Sequence, residues 1–429
     1  MSSAQVIEGD CIEAMRAMPE ASVDAVVCDP PYGLEFMGKE WDRLGDVTHA
    51  NRGTLTNMVN PDGGQKFQTR APAFDLSASS QRAMQAWHLA WAREALRVLK
   101  PGAFLIAFGG DRTFHRLACA AEDAGFEIRP SLAWLHGQGF NKVGYLDKRA
   151  DDDGARERLR GLGGALRPAF EPILCARKPL DGTLVENAAR WGTGGFRVDD
   201  CRVEHASEED RSAATPGGAI TSGTRPGMPG SAERVDVSGK RDGGDERGRW
   251  PTNVLLDEEA ARALDEQSGE LTSGTGAFHR ATAAGHRGAI YGAESRAEGD
   301  PCPEYGDTGG ASRFYYCAKA SGDDERWFYC KTCAVAGPKS LAEKHESHAA
   351  VWHPTVKPVD LMRWLLRLVT PKGGTALDPF AGTGTTGIAA RAEALDCILV
   401  EREPDYLAIL RGRLGQGPRD GQQTMGAAW

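Results

Sequence analysis

Residues 25–34, AVVCDPPYGL, place a carboxylate, two prolines and an aromatic ring directly after an apolar, strand-forming run. Pro30 and Pro31 fix their own φ and give up their N–H donors, and Pro31 pushes the residue before it away from helix. The stretch is stiff and extended, so Asp29, the free main-chain carbonyls and Tyr32 form a fixed set of hydrogen-bond acceptors beside a ring. Alone, it also describes a strand ending in a rigid turn. A second stretch, TALDPFAGTGTTGIAA, has an apolar run ending at Asp378 and a turn, Phe380-Ala-Gly382-Thr383-Gly384, that opens a helix. Glycines there permit positive φ and close approach of a ligand to the backbone. The next apolar run, CILVE, ends in Glu401, 17 residues after Gly384. An acid at that strand end is placed to accept hydrogen bonds from ribose hydroxyls, so a nucleoside-like cofactor is implied, without a phosphate-gripping lysine. A third group, Cys330-x2-Cys333, eleven residues, then His345-x2-His348, resembles a zinc-binding pattern. Its last spacing is shorter than the usual three to five residues, and His353 is a substitute ligand.

The elements that must position these residues alternate in type. AQVIEGD, CIEAMRAM and SVDAVVCD read strand, helix, strand. Over 81–99, Met84, Trp87, Trp91, Ala95 and Val98 fall on one face of an amphipathic helix, best read as core, and Pro101-Gly102 stops it. AFLIAFGG, RTFHRLACAAEDAG, FEIRPSLAWLHG and FEPILCARKPL continue as strand, helix, strand, strand. From about 200 to 312 the chain is rich in Gly, Ser, Thr, Arg and Asp, interrupted by a strand and short helix within 248–269. Helix and strand patterning returns from residue 360. Alternation of this kind predicts an α/β protein with a doubly wound, mostly parallel sheet, whose ligands bind outside the carboxyl ends of the strands.

Composition narrows the class. The 429 residues carry 41% apolar side chains and a net charge of −9, with ten cysteines. No apolar run approaches the roughly 20 residues of a membrane span, and the first residues do not read as a signal peptide. A soluble, cytoplasmic protein without a disulfide framework is expected. The acidic balance argues against non-specific coating of nucleic acid, but not against a local basic cleft.

DPPY, HPTVKP and DPFAGTG, in that order, closely resemble the S-adenosylmethionine-dependent DNA amino-methyltransferases that act on adenine N6 or cytosine N4. The order is that of the permuted β class, and YGLEFMGKEWD and ASRFYYCAKAS are similar to its phage and prophage branch. The resemblance covers roughly residues 4–200 and 311–412 and implies a Rossmann-like class I methyltransferase fold. It assigns Asp29, Pro30, Pro31 and Tyr32 to catalysis. It assigns Asp378, Phe380, Gly382, Thr383 and Gly384 to the cofactor turn and Glu401 to the ribose. His353, Thr355, Lys357 and Pro358 flank the methionine moiety. Asp10 matches an acid near the adenine of the cofactor, and equally suits a helix N-cap.

The organisation implied is a catalytic domain split over 1–200 and 350–415, an irregular target-recognition region at 201–312, a small zinc knob at 325–350 and a tail at 416–429. Arg225, Arg234, Arg241, Arg247 and Arg249 are candidates to contact phosphates or guanine edges, or are solvated charges. The activity implied is methyl transfer to a flipped-out base of double-stranded DNA, as in a restriction-modification system. Asp at the first motif position favours adenine N6; cytosine N4 is the alternative, and an inactive DNA-binding protein of the same fold a third reading. Monomer or homodimer is left open.

Overall fold

A computed structural model describes residues 3–32, 78–137, 139, 144–205, 207, 210–211, 246–272, 308–320, 327–339, 350–353 and 356–416. Two compact units are formed, the first by residues 1–200, 253–258 and 318–429, the second by 201–252 and 259–317.

The chain opens with β1 (Ala4–Glu8), α1 (Cys11–Arg16) and β2 (Val23–Cys28). It continues with α2 (Ala78–Val98), β3 (Leu99–Phe108), α3 (Phe114–Ala124), β4 (Glu127–Ile128), β5 (Leu132–Leu135), α4 (Asp153–Leu159), β6 (Phe170–Arg177) and α5 (Leu184–Trp191). β7 (Val254–Asp257) precedes α6 (Glu258–Ser268), and β8 (Leu271–Thr272), β9 (Thr308–Gly309) and β10 (Tyr316–Ala318) follow. The remaining elements are β11 (Trp327–Cys330), β12 (Val335–Pro338), β13 (Ala350–Trp352), α7 (Val359–Val369), β14 (Thr375–Asp378), α8 (Thr385–Ala392), β15 (Asp396–Glu401) and α9 (Pro404–Arg413).

The main sheet of the first unit runs β1-β15-β14-β2-β3-β6-β5-β7. Neighbours from β1 to β3 pair in parallel, as do β5 and β7, while β6 is antiparallel to β3, β4 and β5. The expected mostly parallel α/β sheet is therefore present. Its centre is made by chain ends far apart in sequence, since β14 and β15 slot between β1 and β2. Ala376 pairs with Ala25 and Leu377 with Val26, which brings the two motif-bearing strands side by side.

β2 is buried at every position, and Met84, Trp91, Ala95 and Val98 of α2 are buried as its periodicity requires. Trp87, read as core, is only partly buried and lines a cleft. Two local expectations need correction. Pro101-Gly102 does not itself stop the helix: α2 ends earlier, at Val98, and β3 runs through the pair, Gly102 taking φ 76° while Asn187 and Thr193 donate to the Pro101 carbonyl. The strand expected over FEIRPSLAWLHG is split into β4 and β5, because Arg129-Pro130 interrupts it.

In the second unit Asp210 is buried and receives both Arg249 Nη1 and Nη2, at 2.6 and 2.5 Å, with Arg313 at 3.3 Å. Both guanidinium groups lie over the Phe314 ring. Arg249 is thus committed to a buried ion pair, which corrects its reading as a nucleic-acid contact; Arg225, Arg234 and Arg241 lie outside the described residues.

Candidate active site

β2 and β14 end side by side, so the chain after Cys28 and the chain after Asp378 leave the sheet at the same edge. Between them opens a cleft of about 950 Å³. Its walls include Asp10, Asp29, Tyr32, His353, Phe380 and Glu401.

One side is a tight charged cluster. Tyr32 Oη donates to Asp29 Oδ1 at 2.7 Å and lies 3.3 Å from Glu171 Oε2. Lys357 Nζ reaches Asp29 Oδ2 at 2.8 Å, Glu171 Oε2 at 2.9 Å and Tyr32 Oη at 3.3 Å. The ammonium also sits over the Phe108 ring, 4.7 Å from its centroid. Burial alone would make Lys357 easier to deprotonate, but the Asp29 and Glu171 carboxylates outweigh it and push its pKa up. Burial, then the same two carboxylates, raises the Tyr32 phenol well above its ordinary range. The lysine is therefore a fixed cation and the tyrosine a fixed donor, and together they hold Asp29 in one orientation.

The other side is the glycine turn. Asp378 Oδ1 accepts the Phe380 N–H at 2.9 Å, and Oδ2 accepts the Thr386 hydroxyl, so this carboxyl clasps both ends of the turn. Glu401 Oε2 accepts the Gly382 N–H at 2.7 Å and Oε1 the Glu403 N–H at 2.8 Å. Arg413 Nη1 donates to the Thr383 carbonyl and to the Thr383 and Thr385 hydroxyls at 3.0–3.1 Å. Gly382 (φ 53°) and Gly384 (φ 82°) take left-handed conformations, and a Cβ on Gly382 would stand 3.3 Å from His353 Nε2. Burial raises Asp378 to about 7, against the hydrogen bonds from Thr386 and Phe380, and likewise raises Glu401 to about 7. Phe380 packs on Trp87 and Trp91, with centroids 5.7 and 5.3 Å away, and His353 lies 4.6 Å from the Tyr406 ring.

Most of the residues singled out from sequence meet at the cleft. Asp29, Pro30, Pro31 and Tyr32 line the cleft together with Asp378, Phe380, Gly382, Thr383, Glu401, His353 and Asp10. Asp10 is also the N-cap of α1, its Oδ1 accepting the Ile12 and Glu13 N–H groups. Gly384 and Pro358 occupy the N-cap positions of α8 and α7 and do not face the cleft. Thr355, His345 and His348 lie outside the described residues. Lys357, set beside the methionine moiety by the resemblance, lines the cleft and contacts Asp29. Glu171 was missed, and its signal is local: a charged residue in FEPIL, at the mouth of an otherwise apolar strand.

Cys330 and Cys333 bracket the turn of the β11–β12 hairpin, Cys330 buried and Cys333 partly so. Among the described residues no three His, Cys, Asp or Glu side chains gather as a metal site.

The sequence model of the DNA methylase family, the N6/N4 methyltransferases, matches residues 23–411. The chain belongs to this family. Type II methyltransferase M.HindIII of Haemophilus influenzae is 26% identical over 199 residues, 44% of this chain and 64% of that protein. Type II methyltransferase M2.DpnII of Streptococcus pneumoniae is 41% identical over 75 residues, 18% of this chain and 28% of that protein. The match thus spans less than two thirds of either relative. Among solved structures, PvuII DNA methyltransferase, cytosine-N4-specific, aligns with a TM-score of 0.45 at 14% identity, covering 96% of this chain and 86% of that one. A complex of M1.HpyAVI with S-adenosylmethionine aligns with a TM-score of 0.36 at 13% identity, covering 96% and 98%. In this member of the family the DPPY and DPFAGTG motifs, 349 residues apart, meet across one pair of hydrogen-bonded strands.

Proposed function

We propose that this methylase transfers a methyl group from S-adenosylmethionine to the N6 of an adenine swung out of double-stranded DNA. The observation that carries the reading is the meeting, in one cleft, of a rigidly held Asp29 and a glycine turn backed by a buried acid. The cleft fits the cofactor by its own chemistry. Gly382 leaves open the space its Cβ would fill beside His353, Phe380 offers an apolar face, and Glu401 and Asp10 offer acceptors for ribose and adenine. S-adenosylmethionine supplies an electrophilic methyl on a sulfonium. An exocyclic amine is a poor nucleophile because its lone pair is delocalised into the ring. Asp29 and the Pro30 carbonyl each accept one amino hydrogen, which draws the nitrogen toward a tetrahedral shape with its lone pair free for in-line attack. The N–C bond would form as the C–S bond breaks to leave a neutral thioether, and the cationic amine would then lose one proton. Lys357 and Tyr32 hold the carboxylate in place beforehand, so little reorganisation is needed at the moment of transfer. The Tyr32 ring offers a stacking face for the flipped base. Adenine is favoured over cytosine by the aspartate that begins the motif.

Asp29→Ala is expected to abolish transfer and leave the dissociation constant for S-adenosylmethionine, by calorimetry, within about threefold of wild type. Loss of cofactor binding in that variant would make Asp29 a cofactor-holding residue and not the acceptor of the amino hydrogen.

We further propose a structural zinc in the hairpin insert, held by Cys330, Cys333, His345 and His348. In support, β13 pairs antiparallel with β11 with Ala350 opposite Cys330, and the two cysteines bracket one hairpin turn. The hairpin is anchored to α9 by Lys331–Asp405 at 2.7 Å. About one zinc per chain by elemental analysis, lost in Cys330→Ser, is the expected result; a metal-free wild-type protein would contradict it.

A further inference from the structure

β5 and β6 are antiparallel neighbours, with Leu135 opposite Phe170, a geometry that a hairpin of two to five residues can close. The chain instead spends residues 136–169 on the connection, and this arm starts and ends at the cleft, between His136 and Glu171. Long connections inside compact domains are usually functional. Over residues 144–169 the arm folds on itself: Tyr145 bridges Gly163, Leu146 N–H donates to the Leu162 carbonyl, and Asp152 caps α4. Yet it buries little. Leu166 is 92% exposed, Tyr145 56% and Leu162 51%. A lone exposed leucine needs no explanation. Here three large apolar side chains stand out from one short arm, and Gly164–Phe170 line the mouth of the cleft that holds Asp29 and Tyr32.

Next to the apolar tip the nearest charge is basic. Over residues 144–170 six basic side chains face five acidic ones, Arg156 pairing with Asp153 and Arg160 with Glu157, while Arg167 directly follows Leu166. An apolar tip followed by an arginine, beside the cleft that holds Asp29, complements a nucleic-acid duplex: a phosphate for the guanidinium group and a base step for the leucine. Swinging a base out leaves a gap in the stack that water fills poorly and a leucine side chain fills well.

We propose that residues 144–169 of this connection are the element that opens the duplex, with Leu166 entering the stack where the target base has left and Arg167 holding the adjacent phosphate. The proposal rests on the DNA methyltransferase reading and extends it to residues that no motif marks.

The test first maps the methylated site with wild-type protein, then compares wild type, Leu166→Ala and Leu166→Met on two duplexes, one fully paired and one mismatched at the target base. On the paired duplex Leu166→Ala is expected to lose roughly tenfold or more in single-turnover rate, with Leu166→Met recovering most of it. On the mismatched duplex, where unstacking is already cheap, the three proteins should differ by less than about threefold. With 2-aminopurine at the target position, the fluorescence rise on binding should shrink in Leu166→Ala. Equal rates on the paired duplex would overturn the wedge while leaving the methyltransferase reading intact. Equal losses on both duplexes, with weaker S-adenosylmethionine binding, would overturn the wedge and make the arm a lid on the cofactor. A wild-type protein that methylates neither duplex nor any genomic DNA would overturn the underlying reading and the wedge with it.

Discussion

Replacing Lys357 by methionine would leave Asp29 and Glu171 facing each other without the ammonium that now bridges them at 2.8 and 2.9 Å. Both carboxylates are about a quarter exposed, so solvent would soften the repulsion. The lost orientation of Asp29 should still lower kcat by roughly a hundredfold, with the S-adenosylmethionine Kd little changed. The opposite split, weak cofactor binding with normal kcat, would return Lys357 to the cofactor role that its motif suggests. Sequence alone could not separate these roles, because HPTVKP lies beside the cofactor turn in the chain. The ammonium's destination depends on where the far ends of β2 and β6 arrive in space.

At the scale of elements, the glycine turn between β14 and α8 is the most constrained piece of backbone in the cleft. Gly384→Ala would force an alanine to φ 82° and put its Cβ 2.9 Å from Leu410 Cγ. A loss of about 2 kcal/mol is expected, read as a lower melting temperature and weaker S-adenosylmethionine binding. Unchanged stability would mean that the turn is held in some other way. This turn was legible in sequence, since strand, acid, glycines and helix are contiguous over residues 375–392. So was α2, whose apolar spacing matches its buried face. The passage of β3 through Pro101-Gly102 was not, because strand pairing overrode the local preference, whereas the split of β4 from β5 follows from Arg129-Pro130 between them. Glu171 and the 136–169 arm left only faint signals. A single acid in a strand and a glycine-rich connection acquire meaning only when the cleft is assembled.

For the whole molecule, Asp378 and Glu401 connect pH to stability. Both take up protons more readily in the folded chain than unfolded, burial having raised each to about 7 from ordinary values of 3.8 and 4.5. Between about pH 4 and 7 the folded state therefore binds more protons than the unfolded one, and its stability falls as pH rises through that window. The ligand-free protein should melt at a higher temperature at pH 6 than at pH 8. Asp378→Asn, which copies the protonated acid, should flatten the dependence; an unchanged slope would mean that Asp378 does not carry it. The chain's two motifs predict such crowding of carboxyls only once β14 is seen to lie against β2, a pairing across some 350 residues. Motif order was enough to reach the family, and the sheet order supplied the arrangement of the motif residues.

The most direct test of the proposed activity is mass spectrometry of nucleosides from unmethylated genomic DNA incubated with the purified protein and S-adenosylmethionine. Formation of 6-methyladenine, absent with Asp29→Ala, is the predicted result. Formation of 4-methylcytosine would keep the cleft chemistry and overturn the base, whereas no methylated nucleoside from DNA, with cofactor bound, would contradict the activity itself.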